Sequence, residues 1–382
     1  MKPTRCAKTV FALGLFTLTA TASAESSLVY FGTYTNALSR GIYVSRLNSA
    51  TGKLSAPALA AETPSPCFLA ISPDENFLYA ANSVPSFKGD QAGAVSAFQI
   101  DKTSAQLTLL NQKSSGGAGP CHVSVDGSGK ALLVANYGGG SVKTLRLNHD
   151  GSLGAEGSLM QAFGSSVNPS RQSSPHAHSI CPDPSNQFAL VCDLGTDKVM
   201  IYALNANTGK LVPRTPLSVQ VPPGSGPRHL AFSRDGKHLY VINEMACTIS
   251  TFGWDSEKGE MSWCETIPAL PKEVSALTEF TAAEILVHPS GNFVYATVRG
   301  HDSVSVFAVD GRSGRITFLQ NISAGGKVPR GLGIDPTGRW LIVANQKTDN
   351  AVEFAIDPQT GKISPTGQEL KIGSPVDVKF AR

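Results

Sequence analysis

A cassette that recurs seven times constrains this chain more than any other feature. Its clearest copies read PCFLAISPDENFLYAAN from Pro66, GPCHVSVDGSGKALLVAN from Gly119, GPRHLAFSRDGKHLYVIN from Gly226 and VPRGLGIDPTGRWLIVAN from Val328. PHAHSICPDPSNQFALVCD from Pro175 and AAEILVHPSGNFVYATV from Ala282 are weaker copies, and PVDVKFAR from Pro375 breaks off at the C-terminus. Aligned starts at 66, 120, 175, 227, 282, 329 and 375 lie 46 to 55 residues apart. A period of that size implies a radial repeat, whose units bury their apolar faces against one another.

Each unit holds four strand-like pieces. In the copy from Pro227 these are HLAFS, HLYVIN, CTISTFGW and a short segment near Met261 to Glu265, separated by turns at Arg234 to Lys237 and Asp255 to Gly259. Four antiparallel strands per repeat make a propeller blade. No window carries a capped apolar stripe at period 3.6, and 37 glycines and 24 prolines punctuate the whole length, so helical solenoids are excluded. The truncated seventh copy lacks the strands that the N-terminus supplies, LVYFGTYT from Leu28 and GIYVSRLN from Gly41. The expectation is an all-β, seven-bladed propeller whose ring is closed by N- and C-terminal strands sharing one blade.

Residues 1–24 read as an export leader. Lys2, Arg5 and Lys8 precede an apolar run from Val10 to Leu18, and Ala22-Ser23-Ala24 provides a small-residue cleavage pattern. The run is too short to span a bilayer, although an uncleaved anchor is the alternative. Cleavage after Ala24 leaves one propeller domain over 25–382, periplasmic or secreted. Losing those three cations takes the formal charge from +3 to about zero. The remaining basic residues are scattered, which argues against nucleic acid or a membrane surface as partner. A monomer is expected. Six cysteines remain, Cys67, Cys121, Cys181, Cys192, Cys247 and Cys264, and their pairing is left open, including a Cys67–Cys121 bridge between neighbouring blades.

Antiparallel pairing puts the start of a blade's first strand and the end of its second at one sheet edge. Around the ring those positions collect at one mouth of the central channel. First-strand starts contribute Cys67, His122, His176, His178, Arg228, His229, Glu284 and Arg330. Second-strand ends contribute Asn82, Asn136 with Tyr137, Asp193, Asn243 with Glu244, Arg299, and Asn345 with Gln346. The recurring asparagines read as turn-closing groups. So many polar groups near a buried ring need one another, water or a ligand. Arg228, Arg299 and Arg330 suit carboxylate or phosphate oxygens, and imidazole is the natural proton-transfer group near neutral pH. His176 and His178, two apart in PHAHS, are expected to point the same way along a strand.

Other chemistries lack support. Gly138-Gly139-Gly140 leads into a strand and cannot cradle a dinucleotide at a helix start; no G-x-S-x-G elbow occurs. No zinc-ligand spacing is present, and the cation excess at the rim disfavours calcium. No metal or other cofactor is expected.

The stretches GPCHVSVD…LLVANYGGGSV, RQ…PHAHSICPDP, PGSGPRHLAF…YVINE, RGHDSVSVF and PR…IDPTG…VANQ resemble the 6-phosphogluconolactonase family of seven-bladed propellers, relatives of the fungal carboxy-muconate-lactonizing enzymes. The resemblance spans essentially all of the chain after the leader. It implies metal-independent hydrolysis of a sugar lactone, with a catalytic cluster falling on His176, Arg228, Glu244 and Arg299 and with His178 as the substitute histidine. His122, His178, His229, Glu284, Arg330 and Gln346 are the expected substrate-binding groups. The implied partner is a small anionic or sugar lactone. Muconate-type cycloisomerisation and a non-catalytic binding module are the alternatives.

Overall fold

The computed structural model describes residues 26–274 and 280–382, so the leader read at residues 1–24 lies outside the described residues. Among the described residues there are 28 strands, β1 to β28 in chain order, and no helix. They form seven four-stranded antiparallel sheets, a seven-bladed propeller. The innermost strands are β4 (Pro66–Ile71), β8 (Pro120–Val125), β12 (Ala177–Pro182), β16 (Pro227–Phe232), β20 (Thr281–Val287), β24 (Pro329–Ile334) and β28 (Pro375–Ala381). Closure is as expected: β28 pairs with β1 (Ser26–Thr33) in a blade of order β28-β1-β2-β3, with β2 at Gly41–Asn48 and β3 at Ala58–Glu62.

Neighbouring blades pack face to face through buried aliphatic and aromatic side chains. Buried tyrosines of the second strands also staple one blade to the next. The Tyr79 hydroxyl donates to Gly151 O at 3.0 Å, Tyr295 to Gly361 O at 2.8 Å and Tyr30 to Ala105 O at 3.2 Å. Each hydroxyl would otherwise be stranded in an apolar interface. The six cysteines are all free thiols, so the Cys67–Cys121 bridge is not formed.

Two local devices in the cassette aim side chains at the mouth. The first is the residue before the strand-initiating proline. Ser65, Gly119, Gly226, Val328 and Ser374 all have left-handed φ, between 41 and 64°. Glycine meets that requirement freely, whereas a β-branched valine pays in strain. In this conformation their carbonyls accept the N–H of the residue just past the second strand: Ser83, Tyr137, Glu244, Gln346 and Tyr34, at 2.7 to 3.1 Å. Those five residues are therefore tethered to the rim. Arg299 ends β21 (Phe293–Arg299) at the same level, paired with Thr281.

The second device is a β-bulge. Every innermost strand slips register by one residue near its start, leaving Cys67, Cys121, His178, Arg228, Arg330 and Val376 outside the ladder, with Ala283 and Glu284 in β20. A bulge re-aims the extra side chain. Here it reaches the next inner strand around the ring, as in Cys67 Sγ to Pro120 O at 3.3 Å and Arg228 Nη1 to Ala283 O at 2.5 Å. The expected shared direction of His176 and His178 is accordingly corrected. β12 starts at Ala177, so His176 precedes the strand and His178 is its bulged residue.

At the opposite edge, aspartates close the inner hairpins. Asp335 accepts N–H groups of Thr337 at 3.0 Å and of Arg339 and Trp340 at 2.8 Å; Asp126 and Asp183 do the same in their blades. Asp335→Ala leaves those donors unpaired and should cost roughly 2–3 kcal/mol in urea unfolding.

Candidate active site

Glu244 is the centre of the mouth. Its tether to Gly226 O holds the carboxylate inside the ring, where it is only 5% exposed. Arg171 Nη2 lies 2.7 Å from Oε1, while Arg299 Nη2 at 2.9 Å and Arg228 Nε at 3.2 Å share Oε2. His178 Nε2 stands 3.9 Å from Oε2. Burial alone would raise this carboxyl, but the guanidiniums of Arg299, Arg228 and Arg171 outweigh it and hold the group well below the usual carboxylate range. Glu244 is thus a fixed anion and a poor proton acceptor.

The guanidiniums differ in what they offer. Arg228 is buried and also donates to Ala283 O; burial, Arg299 and Arg330 press it down to about 10, still protonated at neutral pH. Arg299 donates to Ala282 O at 2.8 Å. Arg330 has no carboxylate partner among the described residues: it lies over the Tyr34 ring, 5.6 Å from its centroid, with Nη2 3.4 Å from the hydroxyl. Four cations facing one carboxylate leave the rim strongly positive.

His176 sits at the outer wall, half-buried. Its ring stacks on Tyr137 at 4.5 Å and 14°, and its Nδ1 is 2.9 Å from Tyr137 O. A carbonyl can only accept, so Nδ1 carries the proton and Nε2 presents a lone pair. Asp193 holds the backbone, accepting the His176 N–H at 2.7 Å. His178 is buried beneath, with Nδ1 3.9 Å from Cys121 Sγ.

The remaining expected groups are placed at two levels. Gln346 is tethered on the rim, half-buried. His122, His229 and Glu284 lie one residue further down the inner strands, in the channel below the guanidiniums, each 3 to 5% exposed. His229 Nδ1 is 2.8 Å from Glu284 Oε1, which also accepts the Ile285 N–H, and the His229 ring lies 5.1 to 5.3 Å from those of His178 and His122. Asp377 and Lys379 pair at 2.9 Å in the same channel, with the ammonium over Phe68. These groups are packed against one another and form a charged floor beneath the mouth.

Two rim residues escaped the sequence reading. Tyr34 was hidden because the N-terminal strands show no cassette, although its place after β1 matches Tyr137 and Glu244. Arg171 belongs to the long connection between β11 (Leu153–Gln161) and β12, outside the repeat. Three of the four recurring asparagines, Asn82, Asn136 and Asn345, donate to Pro64 O, Ser115 O and Ala324 O, clipping the preceding loops to their blades, whereas Asn243 bonds the Thr248 and Ser250 hydroxyls.

Comparison with known proteins agrees with this architecture. The family described as "Lactonase, 7-bladed beta-propeller" matches residues 28–380. The chain is 36% identical over 352 residues to 6-phosphogluconolactonase of Bacillus subtilis, covering 92% of this chain and 97% of that one. It is 31% identical to 6-phosphogluconolactonase of Formosa agariphila, covering 87% and 93%. The solved periplasmic gluconolactonase of Pseudomonas aeruginosa superposes with a TM-score of 0.87 at 33% identity, covering 94% and 99%.

The buried imidazoles make the fold acid-sensitive. Burial, then neighbouring cations and imidazoles, push His122, His178 and His229 well below the ordinary histidine value. The unfolded chain binds protons there below about pH 6.5 while the native state does not, so stability is lost as pH falls. Three such groups give a limiting slope of about 4 kcal/mol per pH unit. Unfolding free energies from urea titrations should drop steeply between pH 6.5 and 5. A flat profile there contradicts the buried, neutral assignment.

Proposed function

The chain belongs to the seven-bladed β-propeller lactonase family and is a sugar-lactone hydrolase; from that premise we propose that it works at the mouth around Glu244. The observation that carries this reading is His176, whose Nδ1 is committed to Tyr137 O, whose Nε2 makes no hydrogen bond within the protein, and which shares Tyr137 with the Arg171 guanidinium. Water bound at Nε2 loses a proton to it as the oxygen attacks the lactone carbonyl carbon. The ring C–O bond then breaks, and the imidazolium returns that proton to the departing oxygen, which becomes a hydroxyl. Negative charge builds on the carbonyl oxygen next to fixed cations, where a preorganised field stabilises it most.

Glu244 keeps three guanidiniums in register and does not abstract the proton. His178, buried against Cys121 and Glu244, supports the same floor. The chemistry runs without a resident metal ion in this reading: arginines supply the positive charge that a Lewis acid would, and they repel cations from the mouth. Export of the chain is part of the proposal. It rests on the leader pattern at residues 1–24 and on the likeness to a periplasmic gluconolactonase.

His176→Asn should lower kcat on glucono-1,5-lactone by about 10²-fold or more, with KM little changed. Wild-type turnover should survive dialysis against a chelator. Full activity in the variant removes His176 from the mechanism, and loss on chelation removes the metal-free reading.

A further inference from the structure

Arg171 differs from the other guanidiniums on Glu244 in origin and exposure. Its side chain is 37% exposed, against 13% for Arg299 and 3% for Arg228. Both of its polar contacts, to Glu244 Oε1 and at 3.4 Å to the Tyr137 hydroxyl, leave from Nη2. Nε and Nη1 make no hydrogen bond within the protein, and the side chain is the most exposed of the three on Glu244. Arg228 and Arg299 are less accessible: the Nε of each is buried without a hydrogen bond, Arg228 donates to Ala283 O, and Arg299 Nη2 serves both Glu244 and Ala282 O.

The connection that carries Arg171 is built to hold it still. Gln172, fully buried, donates from Nε2 to Leu194 O at 2.8 Å and accepts the Asn168 N–H at 3.1 Å. Ser166 bonds Asp197 at 2.5 Å, and the same carboxylate accepts the N–H of Gly226, the residue whose carbonyl tethers Glu244. The loop and the rim thus share an anchor. Tyr137 links Arg171 to His176, since its hydroxyl meets the guanidinium and its ring and carbonyl meet the imidazole.

We propose that Arg171 is a catalytic residue whose guanidinium donates to the lactone carbonyl oxygen as that oxygen becomes negative. This rests on the reading of His176 as the base at this mouth. Water adds to the carbonyl carbon, its proton passes to His176 Nε2, and the electron pair displaced onto the carbonyl oxygen is held by Arg171. Collapse of that adduct expels the ring oxygen, which takes the proton back; the acid so formed releases its remaining proton to solvent, and the guanidinium ends bound to the product carboxylate.

The test is steady-state hydrolysis of glucono-1,5-lactone by wild type, Arg171→Ala and Arg171→Lys, each first shown by urea unfolding to be folded. Losing one oxyanion donor costs about 10²–10³ in kcat. Arg171→Ala should show that loss with KM nearly unchanged, and low-millimolar guanidinium should restore part of it without stimulating wild type. Arg171→Lys, which keeps the charge but not the planar fork, should fall between the two. Retained kcat, an effect on KM alone, or a kcat loss that guanidinium does not relieve overturns the assignment; the last would make Arg171 a support for Glu244. An inactive wild type would instead sink the lactonase reading of the mouth.

Discussion

A single buried carboxylate makes this mouth possible. Three guanidiniums within 3.2 Å of Glu244 could not be desolvated together without it. Breaking a buried pair by removing one partner typically costs 3–5 kcal/mol, because the surviving charge is left without compensation. Here one anion compensates several cations, so the penalty for its loss is shared by the whole rim. The net positive field that remains after Glu244 is counted is what a hydrolase forming an oxyanion requires.

That field follows from backbone geometry repeated around the ring. A left-handed residue before each proline presents a carbonyl inward, and the residue after the second strand is hung on it. A one-residue bulge then turns the next side chain toward the neighbouring blade. Repetition of the first feature in five blades and of the second in all seven yields two concentric sets of positions. Side-chain identity alone decides which become chemistry: Tyr137, Glu244 and Gln346 in one set, His178, Arg228 and Arg330 in the other. Cys67, Cys121 and Val376 occupy the same bulge positions and simply pack.

The ring of second-strand ends was readable in the sequence because the cassette marks it, and the glutamate and arginine placed there share one opening. Depth was not readable. Arg228 and His229 are adjacent in the chain, yet the bulge sends one to the rim and the other to the floor, so His122, His229 and Glu284 lie lower than their spacing implied. The phase of PHAHS failed for the same reason. An alternating pattern assumes an unbroken ladder, and at His178 the ladder skips a residue. Arg171 had no periodic signal at all, since the connection holding it exists in one blade only, and its position depends on the burial of Gln172.

This division of labour has a physical basis. Arg228 and Arg299, supplied by the repeat, are tied to repeat carbonyls and to Glu244, and the Nε of each is closed off from solvent, so they act on a substrate through their field more than by contact. To make contact, Arg228 would have to surrender a bond to Ala283 O inside a buried ring, a reorganisation that would subtract from any stabilisation it gave. A guanidinium delivered from outside the repeat meets no such requirement. It is the most exposed of the guanidiniums on Glu244, one of its nitrogens is held by the central anion, and the contact it makes with a developing oxyanion adds to the field already in place. The repeat builds the electrostatic floor, and a connection outside it carries the guanidinium placed to follow the reaction.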